Sequence, residues 1–334
     1  MRLNTKVTTA IAALLCTVAL PSLSVAAPPS GHEMAARMGA GINLGNALDA
    51  PDGEGTWRPA AQEAEFDAFK AAGFKHVRVP VTWGNHMATT APYTVDPVFL
   101  ARVKEVASWG TSRGMVVVIN AHHESWFKAD PDGQAARFDA LWTQIADAFK
   151  DVPDNLLTFE VLNESEAKTI TDAQTDALNS RVLSIIRKTN PTRTVIIGAV
   201  GDNAGRLRNN QMAVPNDPYL ICTFHTYDPW AFASGQVKTW GTQAERTAFL
   251  NTEPDFNKLS TWSKAHNCPL YVGEFGGTRK TTPAARLEWH RFVARESIKR
   301  NFTYAVWDDS GDMEIYDRQA KTWTPGMLKA LGVK

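Results

Sequence analysis

Two glutamates stand where a charge gains nothing for packing. Phe159-Glu160-Val161-Leu162-Asn163-Glu164 and Tyr271-Val272-Gly273-Glu274-Phe275-Gly276 are apolar runs that each end in a carboxylate, and burying an unpaired charge costs desolvation. Glu164 and Glu274 are 110 residues apart in sequence. If the fold aims both at one point, they supply what cleavage of a glycosidic bond requires: one carboxyl group to protonate the leaving oxygen, and one carboxylate to attack the anomeric carbon or activate water. Other apolar runs end in groups that would complete such a site: Arg78, His122, Asn163, His225, Tyr227 and Trp307. A lone strand-end glutamate would read as a surface ion pair. Two of them among these neighbours do not.

The elements that would position them follow from the hydrophobic pattern. From Gly39 onward, short runs rich in Val, Ile and Phe alternate with amphipathic stretches. Eight runs are centred near Ile42, Val77, Val117, Thr158, Ile196, Cys222, Val272 and Ala305, at spacings of 35, 40, 41, 38, 26, 50 and 33 residues. Helical patterns fill the gaps at 61–72, 97–113, 136–150, 171–189, 254–266 and 283–300, several of them opening with Pro, as a first helical turn allows. Eight strand and helix units predict a (β/α)8 barrel, with reactive groups at the C-terminal ends of the strands. No Gly-x-Gly-x-x-Gly follows the first run and no phosphate loop is present, which removes the support for a nucleotide-binding open sheet.

Composition narrows the partners. The 334 residues carry 35 Lys plus Arg against 35 Asp plus Glu, so no global charge favours nucleic acid or an acidic membrane. Residues 1–26 read as a cleaved secretory signal, with Arg2 and Lys6 ahead of an apolar stretch from Val7 to Leu20 and small residues from Ser24 to Ala27. That stretch is too short to span a bilayer, so a soluble, monomeric catalytic domain over 27–334 is expected, released to the periplasm or the medium. Of the Trp residues, Trp109, Trp142, Trp262 and Trp289 fall in helical patterns and read as packing; Trp57 and Trp230 fall in strand-to-helix loops and suit sugar stacking.

The chain resembles glycoside hydrolase family 5, the largely cellulase and mannanase group of barrel glycosidases. The resemblance rests on Gly41-Ile42-Asn43-Leu44-Gly45-Asn46 with Asp49-Ala50-Pro51 behind it, His76 to Trp83, Val118 to His123, Phe159 to Glu164, His225 to Pro229, Gly273 to Gly276 and Trp307-Asp308. These segments fall in order on every expected strand except the fifth. The resemblance implies that Glu164 is the acid/base and Glu274 the nucleophile, with Arg78 holding Glu274 ionised and oriented. It implies that Asn163 binds the 2-hydroxyl of the sugar being cleaved, that His225 and Tyr227 flank the carboxylates, that His122 contacts sugar hydroxyls and that Trp307 forms the floor under the reacting ring. Asn46, Asp49, His123, Trp230 and Asp308 would be further substrate contacts.

The activity so implied is a retaining endo-β-1,4-glucanase, with mannan, glucomannan or mixed-linkage glucan as further substrates. The alternatives are a β-mannanase or xyloglucanase of the same family and, from another class, a non-catalytic carbohydrate-binding barrel. No cofactor and no metal are expected, since adjacent His122 and His123 on a strand would point to opposite faces. Ser165 departs from the Pro that commonly follows the acid/base, Thr226 from a frequent aromatic, and Asp49 and Asp308 from Glu. The shortened Asp308 is expected to tune the choice between glucose and mannose at the 2-hydroxyl. Counted back from His225 and Glu274, Cys222 and Cys268 lie about 10 Å apart along the strands at about 3.3 Å per residue, beyond the roughly 7 Å a disulfide tolerates, which predicts two free thiols.

Overall fold

The computed structural model describes Met1, residues 27–165 and residues 168–333; the expected signal over 1–26 lies outside the described residues, apart from Met1. Eight parallel strands close into a barrel: β1 (Ala40–Asn43), β2 (His76–Val79), β3 (Val116–Asn120), β4 (Leu157–Glu160), β5 (Val195–Asn203), β6 (Leu220–His225), β7 (Leu270–Phe275) and β8 (Thr303–Val306), with β8 returning to β1 through Gly41 opposite Ala305. The order is sequential around the ring, as expected of eight strand and helix units. The long outer helices are α2 (Glu63–Ala72), α3 (Pro97–Ser112), α5 (Ala135–Ala148), α6 (Asp172–Arg187), α10 (Phe256–His266) and α11 (Pro283–Lys299). α3 and α11 start on Pro97 and Pro283 behind capping Asp96 and Thr282, which fixes their first turns without wasting a backbone donor.

Strand alternation builds two cores. Val116, Val118, Ile196, Ile221, Tyr271 and Ala305 fill the barrel interior, while Val77, Val117, Ile119, Phe159 and Val272 face the helices in a larger outer core. Each fully buried aliphatic or aromatic side chain contributes about 1.5 to 3 kcal/mol. A helix that periodicity did not reveal, α1 (Gly31–Met38), closes the base, with Ser30 and Glu33 forming a capping box and Met34 and Met38 wholly buried under the barrel. His76 belongs to this floor. Its Nδ1 bonds Met38 O at 2.8 Å and its Nε2 meets the Tyr271 hydroxyl at 3.2 Å, and burial pushes it down to about 4, so it is a neutral structural histidine.

Short helices decorate the strand ends: α4 (Ser125–Ala129), α7 (Ala204–Arg208), α8 (Trp230–Ala233), α9 (Gln243–Asn251) and, last in the chain, α12 (Met327–Ala330). After β8 a small hairpin of β9 (Tyr316–Asp317) and β10 (Thr322–Trp323) packs against α2, with Trp323 tilted over Phe69 and Phe74.

The expectation of two free thiols is corrected. Cys222 and Cys268 form a disulfide with Cα atoms 5.9 Å apart. The expected offset assumed straight ladders, but the pairing shifts between Phe224 and His225, where β7 holds an extra residue, so Cys222 lies opposite Leu270. Cys222 N–H also bonds Pro269 O at 2.9 Å, drawing the segment before β7 alongside β6. Closing a loop of 46 residues restricts the unfolded chain by about 4 kcal/mol in the chain-entropy account. Intact mass under non-reducing conditions should be two hydrogens short of the dithiol, and Cys222→Ala/Cys268→Ala should lower Tm by about 5 to 10 °C; an unchanged Tm would mean the bond constrains nothing.

Candidate active site

Arg78, from the middle of β2, is the hub of the barrel mouth. Wholly buried, it directs Nε and Nη2 to Glu160 at 2.7 and 2.6 Å, Nη1 to Glu274 at 2.7 Å and to Asn43 at 3.0 Å, and Nη2 to Asn163 at 2.7 Å. Every N–H of a guanidinium is thereby used. Burial alone would lower Arg78, but Glu160 and Glu274 reverse this and hold it well above the ordinary arginine value. Glu160 in turn is raised by burial and brought below the usual glutamate range by Arg78.

Glu160 had no role in the sequence reading, although it ends β4 as a charge among apolar residues and shares the inward alternation of Thr158. Glu164 lies four residues past the strand end, at φ +36°, a backbone conformation unusual for a side-chain-bearing residue.

The two expected carboxylates do converge. Oxygens of Glu164 and Glu274 and a nitrogen of His225 all lie within 4.8 Å of one another, near the roughly 5 to 5.5 Å separation of double-displacement glycosidases. Their surroundings differ. Glu274 is buried, accepting from Arg78 on Oε1 and from the Tyr227 hydroxyl on Oε2 at 2.8 Å. Glu164 has a side chain 44% exposed and touches His225 Nδ1 at 2.7 Å. Burial pushes Glu164 up, and the hydrogen bond and charge of His225 outweigh it to leave the group below its ordinary value. His225 itself is lowered by burial and then raised to about 9 by Glu274, Glu164 and Asp202. His225 and Glu164 are thus joined by one short hydrogen bond, with Glu274 held as acceptor by two fixed donors.

The sugar-facing residues divide. Trp307 is half-buried, its ring parallel within 5° to His122 at 6.1 Å. Gly45 makes room for it, since a Cβ there would sit 2.8 Å from the indole. Asn120 accepts from Val81 N–H at 3.0 Å and so offers its amide to His122 Nδ1 at 3.1 Å, which leaves His122 with its proton on Nε2, and burial first of all keeps it neutral. Trp230 is 58% exposed and meets Tyr227 edge-on; Trp57 is 48% exposed and meets His123 edge-on. Asn46 is tied to the chain after Trp307 by its amide, which donates to Asp309 O at 3.1 Å, and its N–H donates to Asp49 at 3.0 Å. Trp142, Trp262 and Trp289 are buried as packing residues, and Trp109 packs half-buried against the outer core.

Two further readings are corrected. His122 and His123 do not diverge, because β3 ends at Asn120 and alternation lapses beyond it; the rings lie 4.4 Å apart, and both approach Asp49. Asp308 does not read the sugar. It is wholly buried, accepting from Ser310 N–H, Tyr316 N–H and Arg318, and Arg318 continues to Glu65, which holds Arg58. Asp308 anchors the β9–β10 hairpin instead.

Comparison with known proteins agrees with this geometry. The family model described as Cellulase (glycosyl hydrolase family 5) matches residues 41–312. Endoglucanase H of Acetivibrio thermocellus is 45% identical over 90% of this chain, which spans 33% of that protein's length. An endoglucanase from the hyperthermophilic Thermotoga maritima superposes with a TM-score of 0.86 at 35% identity, covering 91% of this chain and all of the other. Crystal structures of the Thermotoga maritima protein include complexes with mannotriose, at 36% identity over 90% of this chain and 99% of the other with a TM-score of 0.85, and with cellobiose.

Proposed function

The chain belongs to the cellulase family, glycosyl hydrolase family 5, and from that premise we propose that it is a retaining endo-β-1,4-glucanase, secreted and monomeric, that also accepts β-mannan, glucomannan or mixed-linkage glucan. The observation that carries the reading is the unequal treatment of the two converging carboxylates. Glu274, buried under Arg78 and Tyr227, is the nucleophile. Glu164, open to the cleft and sharing a proton with His225, is the acid/base, protonating the departing oxygen and then drawing the proton from the water that cleaves the glycosyl-enzyme.

Asn163 is pinned by Arg78 through its amide oxygen, which leaves its NH2 to donate to the 2-hydroxyl. Trp307 supplies the floor under the ring, His122 offers Nε2–H to a hydroxyl, and the exposed Trp57 and Trp230 extend the stacking surface. No cofactor enters, since acid, base and nucleophile are all side chains of the protein. The cellobiose and mannotriose complexes of the Thermotoga maritima endoglucanase support a choice among β-1,4-linked backbones. The Cys222–Cys268 bond supports an oxidising compartment, in keeping with the leader over 1–26; among the described residues no helix is long and apolar enough to cross a membrane.

Proton NMR of early products should show the β-anomer first, and a panel of carboxymethylcellulose, lichenan, glucomannan, xyloglucan and xylan should release most reducing sugar from the first three. Early α-anomer would overturn the roles, and strongest release from xylan would overturn the substrate.

A further inference from the structure

The fifth strand is the one that offered no functional residue in sequence, and its end holds a further carboxylate beside Glu160, Glu164 and Glu274. After a register shift between Gly198 and Asn203, Asp202 sits buried with φ +46°. Its Oδ2 accepts the backbone N–H of Glu164 at 2.7 Å and lies 3.8 Å from His225 Nε2, a buried nitrogen with no hydrogen-bond partner among the described residues. The contact is reciprocated one residue along: Gly201 N–H donates to Ser165 Oγ at 3.1 Å. The bulge at the end of β5 and the segment after β4 are thus clasped by two hydrogen bonds, and the clasp fixes the residue whose own backbone is left-handed. The close packing is specific, since a Cβ on Gly198 would fall 1.8 Å from Asp202 Oδ1.

We propose that Asp202 is a positioning residue for the acid/base: through the clasp it holds the Glu164 backbone in place, and through its charge beside His225 it governs retention of the proton between His225 and Glu164. This rests on the double-displacement reading of Glu164. A carboxylate buried among other carboxylates is costly without such a use, and burial, opposed by His225, raises Asp202 to about 7. The charged and titratable groups facing this pair are Glu160 from β4, Glu164 beyond it, Glu274 from β7, Arg78 from β2, and His122 and Lys128 from the segment after β3. Above its midpoint the ionised Asp202 favours protonated His225, so it keeps the shared proton in place as pH rises. Ser165 serves the clasp alone.

The test pairs Asp202→Asn, isosteric and still able to accept from Glu164 N–H, with Ser165→Ala. In Asp202→Asn the His225 titration midpoint, followed by NMR of protein with 15N-labelled histidine, should fall, and the basic limb of the kcat profile should move with it to lower pH by about half a unit or more, while the acid limb and KM stay put. Ser165→Ala should leave the His225 midpoint where it was and lower kcat several-fold on glucan, with activated aryl glycosides spared. Either an unmoved midpoint or an unmoved basic limb in Asp202→Asn overturns the proposal. A wild-type protein inert on every glycan would refute the hydrolase reading instead, and the midpoint, which needs no turnover, would then decide the claim for Asp202.

Discussion

Glu274→Gln should lower kcat by about 10⁴-fold or more on every substrate, whatever its leaving group, because the proposed roles make Glu274 the group that forms the covalent intermediate. Glu164→Ala behaves differently. It loses about 10² to 10⁴-fold on glucan, where the departing alcohol needs a proton, yet on aryl glycosides with good leaving groups the first step proceeds and the glycosyl-enzyme accumulates. Azide then replaces the water that Glu164 would have activated, restores turnover and gives a β-glycosyl azide. The contrast follows from the geometry: Glu274 is clamped by Arg78 and Tyr227, whereas Glu164 stands open to the cleft with His225 on its carboxyl group. Steady-state kinetics on both substrate types, with and without azide, check both variants. Azide rescue of Glu274→Gln but not of Glu164→Ala would exchange the two roles.

What sequence could deliver here followed from periodicity, and what it missed followed from breaks in periodicity. All eight strand centres coincide with strands, because Val and Ile runs of the right length have few other uses. The site residues carried by the strands themselves, Arg78, His225 and Glu274, sit at the mouth for the same reason. Alternation also pairs Arg78 with His76 on the inner face and sets Glu160 beside Thr158. The remainder lay in irregular backbone. The shift between Phe224 and His225 brings Cys222 to Cys268, the one near Gly198 delivers Asp202, and the end of β3 at Asn120 lets two neighbouring histidines converge. A bulge has no compositional signature strong enough to count residues by, so distances measured along an assumed straight ladder fail there first.

Arg78→Met should cost more stability than any surface change and should show why Glu160 is present. Removing the guanidinium leaves Glu160 and Glu274 without their ion-pair partner, Glu160 keeping among the described residues the Asn120 hydrogen bond and the charge of His225, and breaking a buried pair from one side costs about 3 to 5 kcal/mol. Tm at neutral pH should fall by about 6 to 15 °C. The sign of the pH dependence follows from Glu160. Its folded-state value is depressed, so its contribution in the wild type is present above the unfolded glutamate value and is lost as pH falls through the folded one. In the variant the lowering by Arg78, the largest that opposes burial, is gone, the protonated form is favoured, and the gap in Tm between the two proteins should narrow as pH is lowered below the usual glutamate range. Adding Glu160→Gln should recover part of the lost stability by removing the orphaned charge, while turnover stays lost because Glu274 has still lost its cation and Asn163 its anchor. Calorimetry across pH on the single and double variants separates these outcomes. A Tm gap that stays constant from neutral to acid pH would mean that the Arg78–Glu160 pair does not hold the barrel mouth together by charge.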